Sequence, residues 1–183
     1  MQANPGINPD SFAAQPKDLY RIGSGKMRVE EGVDAANGIH GLTVSNEPDI
    51  WMANLYDHTG KHIVDPGPTF FAEAPVFGTI LPGKLAALEF GCEADFIAGN
   101  ALKPVRTEQI GGNAYDVYRL EDGSDSVEIL RRPGSDAPSF ARYYHQGVVQ
   151  IAIRYDLYES GLPDDPTLFA PPPDIDYAEV SQH

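Results

Sequence analysis

The fold class follows from the stretch Val148-Val-Gln-Ile-Ala-Ile-Arg-Tyr-Asp-Leu-Tyr158. Apolar side chains alternate with polar or small ones along it, which is the period of a half-buried β-strand. One side would carry Val149, Ile151, Ile153, Tyr155 and Leu157. A strand with one dry face and one wet face is typical of an antiparallel sheet.

Working outward from this strand, similar segments recur along the chain and are separated by short turns. The other predicted strands are 26–30, 41–44, 49–56, 61–64, 105–110, 115–121, 126–132, 140–145 and 175–180. Turns such as Asp57-His-Thr-Gly60, Asp122-Gly123 and Gln146-Gly147 predict hairpin connections between neighbouring strands.

One segment has helical periodicity instead. Between Lys84 and Ala98, the side chains of Leu85, Leu88, Cys92 and Phe96 fall on one face of a helix, which Gly91 is expected to interrupt. We therefore predict a mainly β fold, namely a curved antiparallel sheet or incomplete β-barrel of about nine or ten strands, with one interrupted helix on its concave face.

The length of 183 residues fits one domain. Residues 1–17 are polar and contain Pro5, Pro9 and Pro16, so they are predicted to form a flexible arm. Residues 18–183 are predicted to form a single β-rich domain.

The chain is strongly acidic, with 27 Asp and Glu against 13 Lys and Arg and a net charge of −14. This charge argues against nucleic acid as a partner, because such binding depends on basic side chains that neutralise phosphates. It argues equally against anionic lipid headgroups. A protein partner with a basic surface stays possible, and no apolar stretch is long enough to predict a membrane span.

The cysteine content and the N-terminal segment bear on localisation. A single cysteine, Cys92, excludes an intramolecular disulfide and fits a cytosolic or a periplasmic protein. The segment Met1–Asp10 reads like a tail exposed once a leader has been removed, or like the start of an expressed fragment. The expected location is the bacterial periplasm or the exterior, with the leader absent from this chain.

Residues with catalytic or metal-binding chemistry occur in patterns that polar turns and surfaces explain. Asp57, His58, His62 and Asp65 are the residue types of a metal site, but the turn at Asp57–Gly60 places the two histidines on opposite arms of a hairpin. Glu89 and Glu93, with Asp95 nearby, could supply paired carboxylates, and an acidic helix face accounts for them equally. Cys92 has no general base in the sequence pattern. No catalytic residue, metal or cofactor is therefore predicted.

The aromatic and aliphatic content suggests a different role. Most aromatic side chains on the predicted strands would pack across the sheet, while some could line a cavity for an apolar ligand. The candidate lining residues are Trp51, Leu55, Phe70, Phe77, Val149, Ile151, Ile153 and Tyr155.

Five segments of the second half also carry a family resemblance. They are Tyr115-Asp-Val-Tyr118, Val127-Glu-Ile-Leu130, Phe140-Ala-Arg-Tyr-Tyr144, Ile151-Ala-Ile-Arg-Tyr-Asp156 and Leu168-Phe-Ala-Pro-Pro-Pro-Asp-Ile-Asp-Tyr177. Together with Asp49-Ile-Trp51 they resemble the periplasmic LolA-like lipoprotein-carrier superfamily. The resemblance implies an unclosed β-barrel around helices, a cavity for acyl chains, and a cell-envelope location. Arg28 is the candidate for the family's docking arginine.

Three functions follow as hypotheses. The leading one is a non-catalytic bacterial cell-envelope protein that binds an apolar, lipid or acyl-like ligand in the concave face of the sheet. The second is a protein–protein interaction module that uses an acidic and aromatic surface. The third is a small hydrolase or metal enzyme built on the acidic residues with His58 and His62.

Overall fold

The computed structural model describes residues 16–68, 74–78 and 80–180. It is mainly β with one α-helix, which confirms the predicted fold class. The described chain divides into two compact units. The first unit comprises residues 16–68 and 163–180, and the second comprises residues 74–78 and 80–162. Each is described by itself.

The strands are numbered in chain order. They are β1 (Lys17–Ile22), β2 (Lys26–Glu31), β3 (Gly41–Asn46), β4 (Asp49–Asn54), β5 (Thr59–Val64), β6 (Pro104–Ile110), β7 (Asn113–Asp122), β8 (Asp125–Arg131), β9 (Pro138–His145), β10 (Val148–Arg154) and β11 (Asp176–Val180). The helix α1 spans Glu93–Gly99, and two short 3-10 helices span Gly83–Ala87 and Pro166–Phe169.

The first unit contains a six-stranded sheet in the order β1-β2-β3-β4-β5-β11. Strands β1 to β5 form an antiparallel meander, as the short turns predict. The last strand, β11, pairs with β5 in parallel, so its position is set by the long connection that precedes it.

One face of this six-stranded sheet is covered by the unit's own chain. Leu42, Val44 and Ala53 are buried there against Ile175, which directly precedes β11. Burying such aliphatic side chains is the main favourable contribution to folding. The 3-10 helix Pro166–Phe169 adds the buried ring of Phe169 to the unit's core.

The second unit contains a five-stranded antiparallel meander in the order β10-β9-β8-β7-β6. Helix α1 packs on one face of it, where Phe96 and Ile97 join a core cluster with Val127, Ile129 and Ala141. The predicted helix is interrupted between Ala87, where the 3-10 helix ends, and Glu93, where α1 begins, and Gly91 lies in this interruption with a φ of +80°. Glycine adopts this left-handed conformation at no steric cost.

Strand β10 differs from its predicted course. A bulge places Val149 opposite Tyr144 but Ile151 opposite Tyr143. Since neighbouring residues of β9 point to opposite faces, Val149 and Ile151 do so too, and the predicted unbroken alternation is wrong at this point. The strand also ends at Arg154 rather than at 158, and Leu157 is 77% exposed.

Two predictions on chain organisation are not tested. Residues 1–15 of the predicted arm lie outside the described residues, while Lys17 begins β1. The prediction of a single β-rich domain over residues 18–183 stays a prediction. No helix within the described part of the chain is long and apolar enough to cross a membrane.

Candidate ligand-binding groove

A row of three side chains crosses the middle of the six-stranded sheet. Thr43 on β3 lies opposite Met52 on β4, and Met52 lies opposite Lys61 on β5. Residues directly opposite each other in a sheet share one face. The three side chains therefore project from the same face, which is the one opposite to Trp51 and Ala53.

A neighbouring row makes this face concave. Gly41, Asn54 and Thr59 lie opposite one another on β3, β4 and β5. Gly41 has no side chain, and a Cβ atom there would lie only 2.5 Å from Oε2 of Glu31. The missing side chain helps to leave an open groove of about 390 Å³ along the three strands. We call this depression the β3–β5 groove.

The groove has apolar side chains that water reaches. Met52 is 48% exposed and Ile39, in the loop before β3, is 37% exposed. Methionine is flexible and polarizable, so it adapts to ligands of irregular shape. A bound apolar group would cover the exposed part of Met52.

Two polar groups of the groove are engaged in holding the chain. Oδ1 of Asn54 accepts from the backbone N–H groups of His40 at 2.9 Å and Tyr56 at 3.2 Å, while its Nδ2 donates to the carbonyl oxygen of Gly38. The hydroxyl of Thr59 donates to Asp57 at 2.7 Å, and this bond lowers the pKa of Asp57. These side chains fix the turn between β4 and β5 and give the groove a rigid end.

The two charged side chains of the groove, Glu31 and Lys61, differ in whether they form an ion pair. Glu31 contacts the ammonium group of Lys17. Lys61 is exposed, and no carboxylate of the described residues lies within ion-pair distance of it. The groove thus combines the exposed apolar side chains of Met52 and Ile39 with one lysine that is available to a ligand.

A second depression lies beside this groove and is chemically different. It measures about 200 Å³ and is lined by Asp18, Glu30, Glu31 and His40. Nε2 of His40 lies 3.1 Å from Oε1 of Glu30. Its acidic lining does not suit an apolar ligand.

The predicted cavity residues of the first unit lie on the opposite face of the sheet. Trp51 and Leu55 pack against the cluster of Leu42, Val44 and Ile175. Phe70, which was predicted with them, lies outside the described residues. The groove is thus formed by the residues that alternate with the predicted ones.

The remaining predicted cavity residues belong to the second unit. Phe77 is part of the core cluster that α1 completes, and Ile151, Ile153 and Tyr155 pack against that cluster. Val149 is half-buried and is separated from them by the bulge in β10. That these side chains line a ligand cavity stays a prediction.

The two histidines of the possible metal site have separate partners. Nδ1 of His58 lies 3.1 Å from Asp174. His62 instead lies between Asp49 and Glu179, and the hydrogen bonds to Glu179 and then Asp49 raise its pKa. Within residues 16–68, 74–78 and 80–180, no three His, Cys, Asp or Glu side chains are grouped to hold a metal ion.

The acidic residues of the predicted helix are also separated. Glu89 precedes α1 and forms a β-bridge with Pro75, whereas Glu93 begins α1, so the two do not share a helix face. Glu93 is fully buried, and Oε1 accepts a hydrogen bond of 2.7 Å from the hydroxyl of Tyr155. Burial raises the pKa of Glu93. Cys92 is half-buried at the N-terminus of α1.

The alternation of side chains along β4 indicates a residue of the groove, although the aromatic residues of the sequence point to the other face of the sheet. The observed turn at residues 55–58 places Met52 opposite Lys61, whereas the predicted turn at residues 57–60 would have placed Tyr56 there. Met52 is the apolar residue of β4 that faces away from Trp51. The prediction took the aromatic side chain of Trp51 as the ligand contact, and Trp51 lies on the packed face of the sheet instead.

Arg28, the candidate docking arginine, forms an ion pair of 2.8 Å with Glu30.

The chain matches no family model and no curated protein.

Proposed function

We propose that this protein binds a small apolar, acyl-like ligand in the β3–β5 groove and does so without catalysing a reaction on it. The observation that carries the proposal is the exposed side chain of Met52 beside the depression at Gly41. An apolar ligand in this depression would remove the exposed part of Met52 from water.

The size of the groove supports a small ligand. Its volume of about 390 Å³ falls in the lower part of the range found for small-molecule sites, roughly 300–1,000 Å³. Covering the exposed half of Met52 would contribute about 1 kcal/mol, since full burial of such a side chain is worth roughly 1.5–3 kcal/mol. Contacts with Ile39 would add to this.

The polar side chains of the groove support binding rather than chemistry. Asn54 and Thr59 direct their hydrogen bonds to the loop and the turn of the sheet itself. Groups engaged in this way position the strands and shape the groove. A general acid or base would have to reach the ligand instead.

A bacterial cell-envelope location is part of the proposal. It rests on the resemblance of the segments 140–144, 151–156 and 168–177 to LolA-like carriers. Such carriers hold acyl chains in a β-rich scaffold, and a mainly β chain is consistent with that type of protein.

The test is ligand binding by the purified chain and by two matched variants. A neutral solvatochromic dye such as Nile red, and dodecanol in competition with it, report an apolar site. We expect saturable binding that Met52→Asp weakens about tenfold, because a carboxylate would replace the apolar side chain that contacts the ligand. Leu157→Asp, which changes a 77% exposed side chain in the second unit, should bind like the original protein.

Two outcomes would overturn the proposal. One is the absence of saturable binding of either compound to the folded chain. The other is equal binding by Met52→Asp and Leu157→Asp. The fluorescence of Trp51, the chain's one tryptophan, verifies folding because its ring lies on the opposite face of β4.

A second candidate function is supported by the edge of the six-stranded sheet. Strand β1 is an edge strand, and Tyr20 and Ile22 on it are 37% and 40% exposed. Peptides add to such edges by backbone hydrogen bonds. If the chain is an interaction module, Tyr20→Lys should reduce its self-association or peptide capture in analytical ultracentrifugation, and unchanged sedimentation would exclude this edge.

A further inference from the structure

We infer that the ligand of the β3–β5 groove is an amphipathic monoanion, an acyl chain that ends in a carboxylate, and that Lys61 binds the carboxylate. This inference rests on the proposed function and specifies the chemical class of the ligand. It is based on the position of Lys61 in the groove, on its lack of an ion-pair partner among the described residues, and on the apolar side chain of Met52 next to it.

Lys61 differs from the other cations of the first unit. Five lysine and arginine side chains occur in residues 16–68 and 163–180. Three of them, Lys17, Lys26 and Arg28, contact the carboxylates of Glu31, Asp164 and Glu30. Arg21 donates to the carbonyl oxygen of Gly23. Within these described residues, Lys61 alone has no hydrogen-bond or ion-pair partner.

The carboxylates on this face do not neutralise Lys61. Glu31 lies at the β2 side of the groove and contacts Lys17, and the spacing of three strands puts it roughly 14 Å from β5. Asp176 on β11 lies opposite Thr59, one row away, and is not within 4 Å of Lys61. Asp57 accepts hydrogen bonds from Thr59. In a chain of net charge −14, an unpaired lysine at a groove is a local site for an anion.

The surface next to Lys61 suits an acyl chain. From Lys61 the same row continues through Met52, Thr43 and Val29, so the side chains follow one another across β4, β3 and β2. The row spans roughly 14 Å from β5 to β2, which matches an acyl chain of medium length. A ligand in this orientation places its charged end at Lys61 and its methyl end toward Val29.

A carboxylate fits the site better than a phosphate ester. Lysine is a compact point charge, and a single ammonium group neutralises one negative charge. A dianionic phosphate would leave a net negative charge in a groove that already contains Glu31. The expected ligand is therefore a fatty acid or a related carboxylate.

The test compares three compounds with the same alkyl chain and different heads. Isothermal titration calorimetry would measure dodecanoate and dodecyltrimethylammonium below their micellar concentrations and dodecanol below its solubility limit. We expect the original protein to bind dodecanoate about tenfold more tightly than dodecanol, the size of one charge-assisted contact. The quaternary ammonium compound should bind most weakly. Added salt should weaken only dodecanoate binding.

Matched variants identify the side chain responsible. Lys61→Met should bind dodecanoate and dodecanol with equal affinity, while Lys61→Arg keeps the preference. Lys84→Met removes an exposed lysine of the second unit and should behave like the original protein. Because Lys61 is exposed, these changes are compatible with folding, which thermal unfolding verifies.

The outcomes separate the two proposals. If dodecanol and dodecanoate bind equally, or if Lys61→Met keeps the preference for dodecanoate, the carboxylate inference is wrong and the proposed function stands. If neither compound binds to the folded chain, the proposed function fails and this inference fails with it.

Discussion

The imidazole of His62 lies flat on the indole of Trp51, with ring centroids 5.2 Å apart and an angle of 8° between the planes. Both nitrogens of the same imidazole contact carboxylates, at 2.7 Å from Oδ1 of Asp49 and 2.9 Å from Oε1 of Glu179. Because carboxylates accept hydrogen bonds, both contacts are satisfied only when the ring is protonated and both nitrogens donate. His62 thus connects β4, β5 and β11.

We expect the stability of the first unit to depend on the charge of His62. Its pKa is raised by the hydrogen bonds to Glu179 and Asp49. A raised pKa means that the folded state binds the proton more tightly than the unfolded state. The stabilisation is therefore complete at pH values below the ordinary pKa of histidine. It is lost as the pH rises through the higher pKa of the folded state.

Urea unfolding of the original protein and His62→Gln checks this expectation at about pH 5.5 and about pH 8.5. The original protein should be clearly the more stable of the two at the lower pH, and the difference should shrink at the higher pH. His145→Gln is the control, since His145 is an exposed histidine of the second unit. A difference between His62→Gln and the original protein that does not change with pH would contradict the linkage.

A second prediction concerns the buried carboxyl group of Glu93. Its side chain is fully buried, Tyr155 donates to Oε1, and Oε2 has no hydrogen-bond partner among the described residues. Burial raises the pKa of Glu93. The group therefore stabilises the fold in its neutral form, and this contribution is lost as the pH rises through the folded pKa.

Glu93→Gln keeps the volume of the side chain and removes its ionisation. We expect the variant to be as stable as the original protein at low pH. Toward high pH it should be more stable by about 1–3 kcal/mol, the usual penalty of a buried polar group without a partner. Chemical denaturation as a function of pH measures the difference, with Glu159→Gln on an exposed carboxylate as the control. If the stabilities of Glu93→Gln and of the original protein changed with pH in parallel, an ionising Glu93 would be excluded.

A third prediction concerns Glu128, which is 1% exposed in the middle of β8. Its carboxylate accepts hydrogen bonds from Arg106 at 2.7 Å, Tyr144 at 2.8 Å and Arg119 at 3.2 Å. Burial alone would raise its pKa, but the bonds from Arg106 and Tyr144 outweigh burial and lower it. Because of this lowered pKa, the ionised carboxylate stabilises the fold at pH values above the ordinary pKa of glutamate. The stabilisation is lost as the pH falls through the pKa of the folded state.

Glu128→Gln should therefore destabilise the second unit by about 1–3 kcal/mol near neutral pH, because the arginines lose a charged acceptor. The arginines are partly exposed and can turn to water, so the effect stays below that of a fully buried pair. Glu121→Gln, which removes an exposed partner of Arg119, should change stability by less than about 1 kcal/mol. Equal effects of the two substitutions in guanidinium unfolding would argue against a stabilising role for burial of this charge.

The local pattern of the sequence predicts much of the fold but not the pairing of distant strands. Alternation and glycine turns place β2 to β10 close to their observed positions, because hairpin strands pair with their sequence neighbours. The parallel pairing of β11 with β5 joins residues far apart in the chain. No short-range pattern contains that contact.

The candidate site was harder to predict because it depends on which face of a sheet the rest of the chain covers. Alternation shows that Trp51 and Met52 point in opposite directions. It does not show that Ile175 packs over the face that carries Trp51. The bulge that separates Val149 from Ile151 also left no clear signal, since one extra residue is compatible with ordinary alternation on either side.

The last prediction concerns Gly91, which precedes α1, and Gly99, which is its last residue. Gly91 has a φ of +80°, whereas Gly99 closes α1 within ordinary helical backbone. At both positions the space around an added Cβ is empty to 4 Å, so packing does not distinguish them. Gly91→Ala should cost about 1–2 kcal/mol, the price of a left-handed conformation for an L-residue. Gly99→Ala should instead stabilise by about 0.4–1 kcal/mol, because alanine restricts the unfolded chain. Thermal unfolding of the two variants should therefore shift the midpoint in opposite directions, and shifts of the same sign would mean that Gly91 does not hold the left-handed turn that divides the helix.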